Sequence, residues 1–311
     1  MRLVFLGTPA FAVPTLQRVV EAGHQVLAVV TQPDRPRGRG QHPSPPPVKE
    51  AAARLGLAVR QPERVKLPEA VEFLRALQPE AMVVVGYGQI IPQTVIDLAP
   101  LGIVNVHASL LPKYRGAGPI QWAILNGESR TGVTTMRIDA GLDTGDMLLK
   151  SWTEIGPEES AVELGARLAA MGADLLVETL AGLVAGTIVP EKQDSSQATY
   201  ARLLKKEDGV VDWSLPAQAI HNRVRGLQPW PGAYTTFRGQ TLHIWKSRPV
   251  PRPPVLGPGR ISSVKPLIVS CGSGALELLE VQLEGRKRIS AADFANGQRL
   301  AENEDIGGLH L

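Results

Sequence analysis

The 311-residue chain contains a single cysteine, Cys271. One cysteine excludes an internal disulfide and a cysteine-based metal cluster, and it makes a reducing, intracellular location the expected one. No apolar run approaches the roughly 20 residues that span a bilayer, and the N-terminal MRLVFLGTP indicates a strand and a turn rather than a signal peptide. We therefore expect a cytoplasmic protein without a membrane partner.

The glycine pattern of a dinucleotide-binding turn is also missing. The first apolar segment, LVFLG (3–7), leads into GTPAFAVP, where G-x-G-x-x-G would be needed to bring the backbone close to a pyrophosphate. Pro9 and Pro14 restrict this turn further. Nicotinamide or flavin binding therefore has little support.

Short apolar segments alternate with helical patterns through the first half of the chain. Buried strands are predicted at 3–7, 26–32, 81–88, 102–109 and 131–139. Helices are predicted between them, and a long helix at 159–186. This alternation is typical of an α/β protein with a Rossmann-like, doubly wound, mostly parallel sheet.

The second half of the chain has a different pattern. Apolar periodicity is lost from 187 to 209, which indicates a linker, and short strands with turn residues then predict a small β-barrel. We expect a first domain at 1–189, a linker at 190–206 and a second domain at 207–311.

Charge is distributed unevenly, although the formal net charge is only +3. Residues 201–265 carry 11 Lys and Arg against 3 Asp and Glu, whereas residues 266–311 carry 4 against 7. Such a basic region could face a polyanion or could be a solvated, arginine-rich surface. Charge alone leaves both alternatives open.

Two polar side chains interrupt the apolar segment GIVNVHAS (102–109). Asn105 and His107 are two residues apart, so they project from one face of a strand, near the end where open α/β sheets bind ligands. The next predicted strand leads into IDAGLDTGD (138–146), whose Asp143 could orient His107 and hold it cationic. An amide donor beside a cationic imidazole suits a developing oxyanion and indicates acyl-type transfer.

Other chemistries have less support in this region. No Ser or Cys has a base at a recognisable spacing, so a covalent intermediate is not indicated. One histidine is too few for a metal site, and we expect no metal. A hydrogen-bonded polar pair without a catalytic role is the alternative for Asn105 and His107.

The chain resembles the folate-dependent formyltransferases over nearly its whole length, and their tRNA-directed members, the methionyl-tRNA formyltransferases, in particular. The segments that carry the resemblance are FLGTPAFAVPTL (5–16), VVTQPDRPRGRGQ (29–41), NVHASLLPKYRGAGPIQWAILNGE (105–128), TGVTTMRIDAGLDTGDML (131–148), DWSLPAQAIHNRVRGLQPWPGAYTTFRGQTLHIW (212–245) and GRKRISAADFANG (285–297). The third is specific to the formyltransferases as a group. The second and the C-terminal segments narrow the resemblance to the tRNA-directed members.

The resemblance implies transfer of the formyl group of 10-formyltetrahydrofolate to the free amine of methionyl-initiator tRNA, which gives N-formylmethionyl-tRNA for translation initiation. It implies that Asn105 and His107 stabilise the oxyanion and that His107 helps to protonate the leaving nitrogen. It assigns Asp143 to orienting His107 and assisting proton movement. It also implies an OB-like C-terminal domain that binds tRNA, and a monomer.

The resemblance also assigns binding residues. Those for the folate are Ser109, Leu110, Leu111 and Pro112, with further contacts at Gln89, Ile90 and Ile91. Those for tRNA are Arg35, Arg37 and Arg39 in a basic loop, Lys205 and Lys206 in the linker, and Arg223 and Arg225 in the second domain. A solvated, flexible loop is the alternative for the three loop arginines.

Two competing functions come from different classes. A sugar-nucleotide amine formyltransferase shares the three reactive residues and a related second domain, but the arginine loop favours the tRNA enzyme. An RNA-binding protein that has kept the scaffold without activity is the alternative outside the enzymes, and the intact trio of Asn105, His107 and Asp143 argues against it.

Overall fold

The computed structural model describes residues 1–37, 42–251 and 256–307. The chain divides into two compact units. The first consists of Met1–Pro119, Arg130–Glu154 and Gly165–Ala201, and the second of Ile120–Ser129, Ile155–Leu164 and Arg202–Leu311. The second unit thus includes two segments that lie between segments of the first unit along the chain. The domain limits expected at 189 and 207 stay a prediction.

Strands and helices alternate through the first part of the chain. The strands are β1 (Arg2–Gly7), β2 (Gln25–Val30), β3 (Arg35–Arg37), β4 (His42–Ser44), β5 (Val59–Arg60), β6 (Ala81–Val85), β7 (Ile103–His107), β8 (Arg115–Gly116), β9 (Arg130–Arg137), β10 (Met147–Glu154) and β11 (Tyr200–Ala201). The helices are α1 (Val13–Glu21), α2 (Pro47–Arg54), α3 (Pro68–Leu77), α4 (Gln93–Ile96), α5 (Pro119–Leu125) and α6 (Ala161–Ala185). Each predicted buried strand is present. The helices α3 and α4 and the strands β3, β4, β5, β8, β10 and β11 are additional to the prediction.

The main sheet of the first unit has the strand order β10-β9-β7-β6-β1-β2-β5. The five strands from β7 to β5 pair in parallel, which confirms the Rossmann-like prediction. β6 and β7 are buried along their whole length, as a sheet covered on both faces requires. β9 is antiparallel to β7, and β10 is antiparallel to β9. Apolar pattern does not encode strand direction, so nothing in the amino-acid pattern indicates this reversal.

Helix α6 packs directly against β7. A methyl group placed on Gly172 would meet Cγ1 of Val106 at 2.7 Å, so the helix and the strand approach too closely for any larger residue there. Among the described residues α6 is the helix long and apolar enough to cross a membrane, but its Leu168, Leu176 and Leu180 are buried in the core. Val106 therefore faces α6, and its two neighbours on β7 face the other side of the sheet.

The second unit contains an antiparallel sheet. Its helices and strands are α7 (Ala217–Gly226), β12 (Ala233–Phe237), β13 (Gln240–Val250), β14 (Ile261–Val264), β15 (Leu267–Ser270), β16 (Ala275–Leu283), β17 (Ile289–Ser290) and α8 (Ala291–Gln298). The strand order is β12-β13-β16-β15-β14, with β17 paired to β16. The apolar core of the unit includes Cys271, and burial raises the pKa of its thiol to about 12.

Arg225 of α7 is buried in the second unit, with 7% of its surface exposed. Its NH1 donates to the carbonyl oxygens of Gly156 and Glu159, both at 3.0 Å. Its Nε and NH2 donate to Oδ1 of Asn222 at 3.1 and 2.9 Å. Burial lowers the pKa of this guanidinium from its usual value. The side chain thus joins α7 to the segment 155–164 within the unit.

Replacing Arg225 with Ala should lower the free energy of unfolding by about 3 kcal/mol, because it leaves buried carbonyl oxygens without their charged donor. Arg248→Ala is the matched control, since Arg248 is 61% exposed and pairs with Glu277. Exposed pairs contribute about 0–1 kcal/mol. Urea denaturation of both variants measures the difference. Equal, small losses would contradict the structural role of Arg225.

Candidate active site

Strand β7 presents the two polar residues that the sequence singles out. Asn105 and His107 are 9% and 6% exposed and lie on the face opposite Val106. Nε2 of His107 donates to the carbonyl oxygen of Tyr114 at 2.9 Å, because a carbonyl can only accept. Nδ1 is therefore the ring atom free to take up or release a proton. Within the described part of the chain, the Asn105 amide has no hydrogen-bond partner.

Asp143 reaches this face from the opposite edge of the sheet. Because β9 is antiparallel to β7, its last residue, Arg137, lies opposite Val104 near the beginning of β7. The loop 138–146 therefore starts at the edge where β7 begins, whereas His107 lies where β7 ends. The loop folds back across the face of the sheet to bring Asp143 to the histidine.

The carboxylate of Asp143 lies close to His107 without a direct hydrogen bond. Its Oδ2 is 3.7 Å from Nδ1 of His107, which is beyond hydrogen-bond length. The same oxygen accepts a hydrogen bond of 2.8 Å from the backbone amide of Gly116. Catalytic hydrogen bonds are often long before substrate binds and shorten in the reacting complex. The carboxylate is thus placed to stabilise a protonated imidazole.

The backbone of Asp143 is held by a residue that the sequence did not single out. Nε2 of Gln193 donates to the carbonyl oxygens of Asp143 and Gly145, both at 2.8 Å. Oε1 of Gln193 accepts from Nε and NH2 of Arg115 at 3.0 and 2.8 Å. Gln193 lies in the stretch 187–209, whose lack of apolar periodicity predicts a linker. No sequence signal marks such a contact, since it depends on tertiary structure alone.

Residues 191–201, here called the strap, run along the two loops that form the site. Glu191 exchanges backbone hydrogen bonds of 2.8 Å with Met147. Further along, Oγ1 of Thr199 accepts from the amide of Tyr114 at 2.8 Å, and β11 pairs in parallel with β8. The strap therefore joins the loop that follows β7 to the loop that follows β9.

The segment expected to contact the folate is partly interior. Ser109 and Leu111 are buried, at 0% and 2% exposed. Oγ of Ser109 donates to the carbonyl oxygen of Lys113 at 2.6 Å, which closes the turn. Leu110 and Pro112 are partly exposed. Two of the four side chains thus shape the loop from inside, and two reach the surface.

The segment after β6 divides in the same way. Both ends of the Gln89 side chain are hydrogen-bonded to the backbone of residues 63–65, and Ile91 is buried. Ile90, in contrast, is 88% exposed, and Leu142 in the loop after β9 is 62% exposed. Exposed apolar side chains in both segments suit a flat, partly apolar ligand.

The basic loop of the first unit forms a hairpin from β3 and β4. Arg35 is exposed in β3. The side chain of Arg37 and the whole of Arg39 lie outside the described residues, so the expected tRNA contacts of these two arginines stay predictions.

An anionic residue holds the base of this hairpin. Asp34 accepts hydrogen bonds from Nε2 of Gln61 and Nζ of Lys49, each at 2.7 Å. The hydrogen bond from Gln61 has the largest effect and that from Lys49 adds to it, and both lower the pKa of the Asp34 carboxyl below its usual value. The hairpin therefore leaves the sheet from a fixed base.

The basic residues expected to bind tRNA in the second unit have different surroundings. Lys205 and Lys206 are exposed. Arg223 is half-buried, and its NH2 donates to the carbonyl oxygen of Asp208 at 2.6 Å. Arg225 has little surface left for a phosphate, because its donors are used inside the unit.

The arrangement around β7 can perform one kind of chemistry well. An amide, an imidazole and a carboxylate lie on the same face of the sheet, where they can stabilise negative charge on an oxygen and move a proton. Among the described residues, no group of three His, Cys, Asp or Glu side chains lies together as a set of metal ligands.

Comparisons with known proteins identify the family. The family model described as formyl transferase matches residues 1–180, and that described as formyl transferase, C-terminal domain, matches residues 203–299. The methionyl-tRNA formyltransferase of Solibacter usitatus is 77% identical over 100% of both chains. That of Koribacter versatilis is 55% identical over 99% of both.

A solved structure shows the same fold. It is an N-formyltransferase from Helicobacter canadensis in complex with folinic acid and dTDP-3-aminofucose, with a TM-score of 0.66 and 19% identity. The match covers 89% of this chain and 98% of that chain. By its family models and its full-length relatives, the chain belongs to the formyl transferase family, within the group of methionyl-tRNA formyltransferases.

Proposed function

We propose that the protein transfers the formyl group of 10-formyltetrahydrofolate to the free amino group of methionyl-initiator tRNA. The observation that carries the proposal is the convergence of Asn105, His107 and Asp143 on one face of the sheet, where a strand and a folded-back loop meet. Relatives named for this reaction, at 77% and 55% identity over essentially the whole chain, support it.

Asn105 and His107 stabilise the negative charge that develops on the formyl oxygen during the transfer. A bond forms between the methionyl nitrogen and the formyl carbon, and the bond from that carbon to the folate nitrogen breaks. Negative charge collects on the formyl oxygen between these events. The Asn105 amide and a protonated His107 donate to that oxygen, and removing one such donor typically costs about 10²- to 10³-fold in kcat.

Proton movement runs through Nδ1 of His107. The other ring nitrogen donates to the carbonyl oxygen of Tyr114, so Nδ1 is the atom that exchanges a proton with substrate or water. Asp143 lies 3.7 Å from Nδ1 and stabilises the imidazolium form. The attacking amine loses one proton, and the departing folate nitrogen gains one. The protonation state of His107 is therefore the same before and after each turnover.

The folate would lie against the exposed apolar side chains of the two flanking segments. Ile90 and Leu142 are the most exposed of these, and Leu110 and Pro112 add partly exposed surface. Ser109 and Leu111 contribute from inside by fixing the loop. When bound, the folate supplies the activated formyl group.

The tRNA would be recognised by cations at the surface. Arg35, with Arg37 and Arg39 of the same basic loop, and Lys205 and Lys206 are the residues proposed to pair with phosphates. Arg223, which is half-buried and donates to the carbonyl oxygen of Asp208, is proposed as a further contact, whereas Arg225 is assigned to holding the second unit together. We further propose a monomer that acts in the cytoplasm, in keeping with the family resemblance and the single, buried thiol.

The acceptor decides between this function and formylation of a sugar nucleotide. Purified protein is given 10-formyltetrahydrofolate with methionyl-initiator tRNA or with an amino sugar nucleotide, and the formylated products are measured. We expect product only from the tRNA. Faster formylation of the amino sugar would overturn the proposal.

The reactive trio gives a prediction on turnover. Asn105→Ala, His107→Ala and Asp143→Ala should each lower kcat by at least about 10²-fold, because each removes a donor or a proton-transfer group from the transition state. Folate affinity and melting temperature should change little. His24→Ala is the control, because His24 directly precedes β2 and contacts the N-terminal amine of Met1. Wild-type turnover in any variant of the trio would remove that residue from the mechanism.

The proposed phosphate contacts give a prediction on salt dependence. In the triple variant Arg35→Ala, Lys205→Ala, Lys206→Ala, the slope of log K against log salt for tRNA should become shallower by about 2, because each lost phosphate contact removes about 0.7–0.9 from it. Arg18→Ala is the control, since Arg18 is exposed and pairs with Asp174. An unchanged slope would mean that these residues do not contact the phosphates and form only solvated surface.

A further inference from the structure

Gln193 is the strap residue that contacts the reactive loop at Asp143 itself. We infer that Gln193 is a positioning residue that holds Asp143 in the place from which it acts on His107. The inference rests on the proposed function, because it assigns Gln193 a part in the same reaction. It concerns a residue outside the reactive trio, with its effect transmitted through Asp143.

The loop that carries Asp143 needs an external support. It begins at the edge of the sheet opposite His107 and folds back across the face. Asp143 also has a φ of +51°, in the left-handed region that residues with a Cβ rarely adopt. Backbone of this kind persists only where its surroundings determine it. The two hydrogen bonds from Gln193, to the carbonyls of Asp143 and Gly145, are such surroundings.

The orientation of the Gln193 amide is fixed by Arg115. Arg115 is 2% exposed, and a guanidinium offers donors only, so the amide oxygen must face it. The amide nitrogen then faces the two loop carbonyls, which only accept. A carboxylate could keep the contact with Arg115 but has no donor for the carbonyls, so glutamine is the residue that satisfies both sides.

Gly116, which follows Arg115 in β8, holds the side-chain carboxylate of Asp143. The amide of Gly116 donates to Oδ2 of Asp143, so neighbouring residues of β8 act on both its backbone and its side chain. A methyl group on Gly116 would lie 2.7 Å from the carbonyl oxygen of Ala201 in the strap. The strap, β8 and Asp143 therefore pack tightly against one another. A displacement of Gln193 would consequently also displace the Asp143 carboxylate.

The test replaces Gln193 with Glu, which keeps the shape of the side chain and removes its donors. We expect kcat to fall by about 10²-fold, the effect of displacing a reacting group by about 1 Å, with KM for folate and for tRNA within about threefold of wild type. Hydrogen exchange of the Gly116 amide should become faster, since Oδ2 of Asp143 leaves it. Gln197→Glu is the matched control: Gln197 lies in the strap, and its side chain donates to Asp194.

A double-variant cycle separates positioning from a general loss of structure. If Gln193 acts through Asp143, then Gln193→Glu combined with Asp143→Ala should be no slower than Asp143→Ala alone. Rates that multiply would overturn the inference, because Gln193 would then act by another route. Gln193→Ala serves in the same cycle if the glutamate variant has a lowered melting temperature.

The outcomes distinguish this inference from the proposed function. A slow Asp143→Ala variant with a fully active Gln193→Glu variant would overturn the inference and leave the proposed function intact. An Asp143→Ala variant that turns over like wild type would overturn the inference, since Gln193 would then have no catalytic group to position, whereas only a wild-type protein that fails to formylate methionyl-tRNA would overturn the proposed function.

Discussion

The antiparallel pairing of β9 with β7 is the constraint on which the candidate active site depends. It sends the chain after β9 away from His107, toward the edge where β7 begins. A carboxylate can reach the histidine only if the loop returns over the sheet and is held there. Hydrogen bonds from Gly116 and Gln193 provide that hold. The strap, β8 and the left-handed backbone of Asp143 follow from this requirement.

The sequence predicts the part of the site that lies on one strand. Asn105 and His107 share a face because side chains two apart on a strand always do, whatever the strand pairs with. Asp143 lies 3.7 Å from His107, but it follows β9, which runs antiparallel to β7, and the prediction of a mostly parallel sheet did not say which strands would reverse. Strand direction is set by backbone hydrogen bonds between strands, which leave no trace in the side-chain pattern. The role of Gln193 could not be predicted either, because its contacts with Asp143 and Gly145 join segments that are about 50 residues apart in the sequence and leave no local pattern.

Charge in the second unit shows a similar limit. The sequence between 201 and 265 carries many more cations than anions, but several of these cations have partners within the unit. Arg225 donates to carbonyl oxygens in the interior, and Arg238 and Arg248 pair with Glu304 and Glu277. Counting charges predicts a basic surface, whereas the structure leaves a smaller set, with Lys205 and Lys206 among the exposed ones. Only tertiary contacts distinguish the two groups.

The position of the strap determines where chimeras between members of this family can be joined. The two family models end at residue 180 and begin at residue 203, so the strap belongs to neither. A chimera joined at residue 185 would inherit the sheet with Asn105, His107 and Asp143 from one parent and the strap from another. Its Arg115 and Gln193 would then come from chains that never adapted to each other. A chimera that keeps the first unit intact therefore has to be joined after residue 201, where that unit ends, and not at the end of α6.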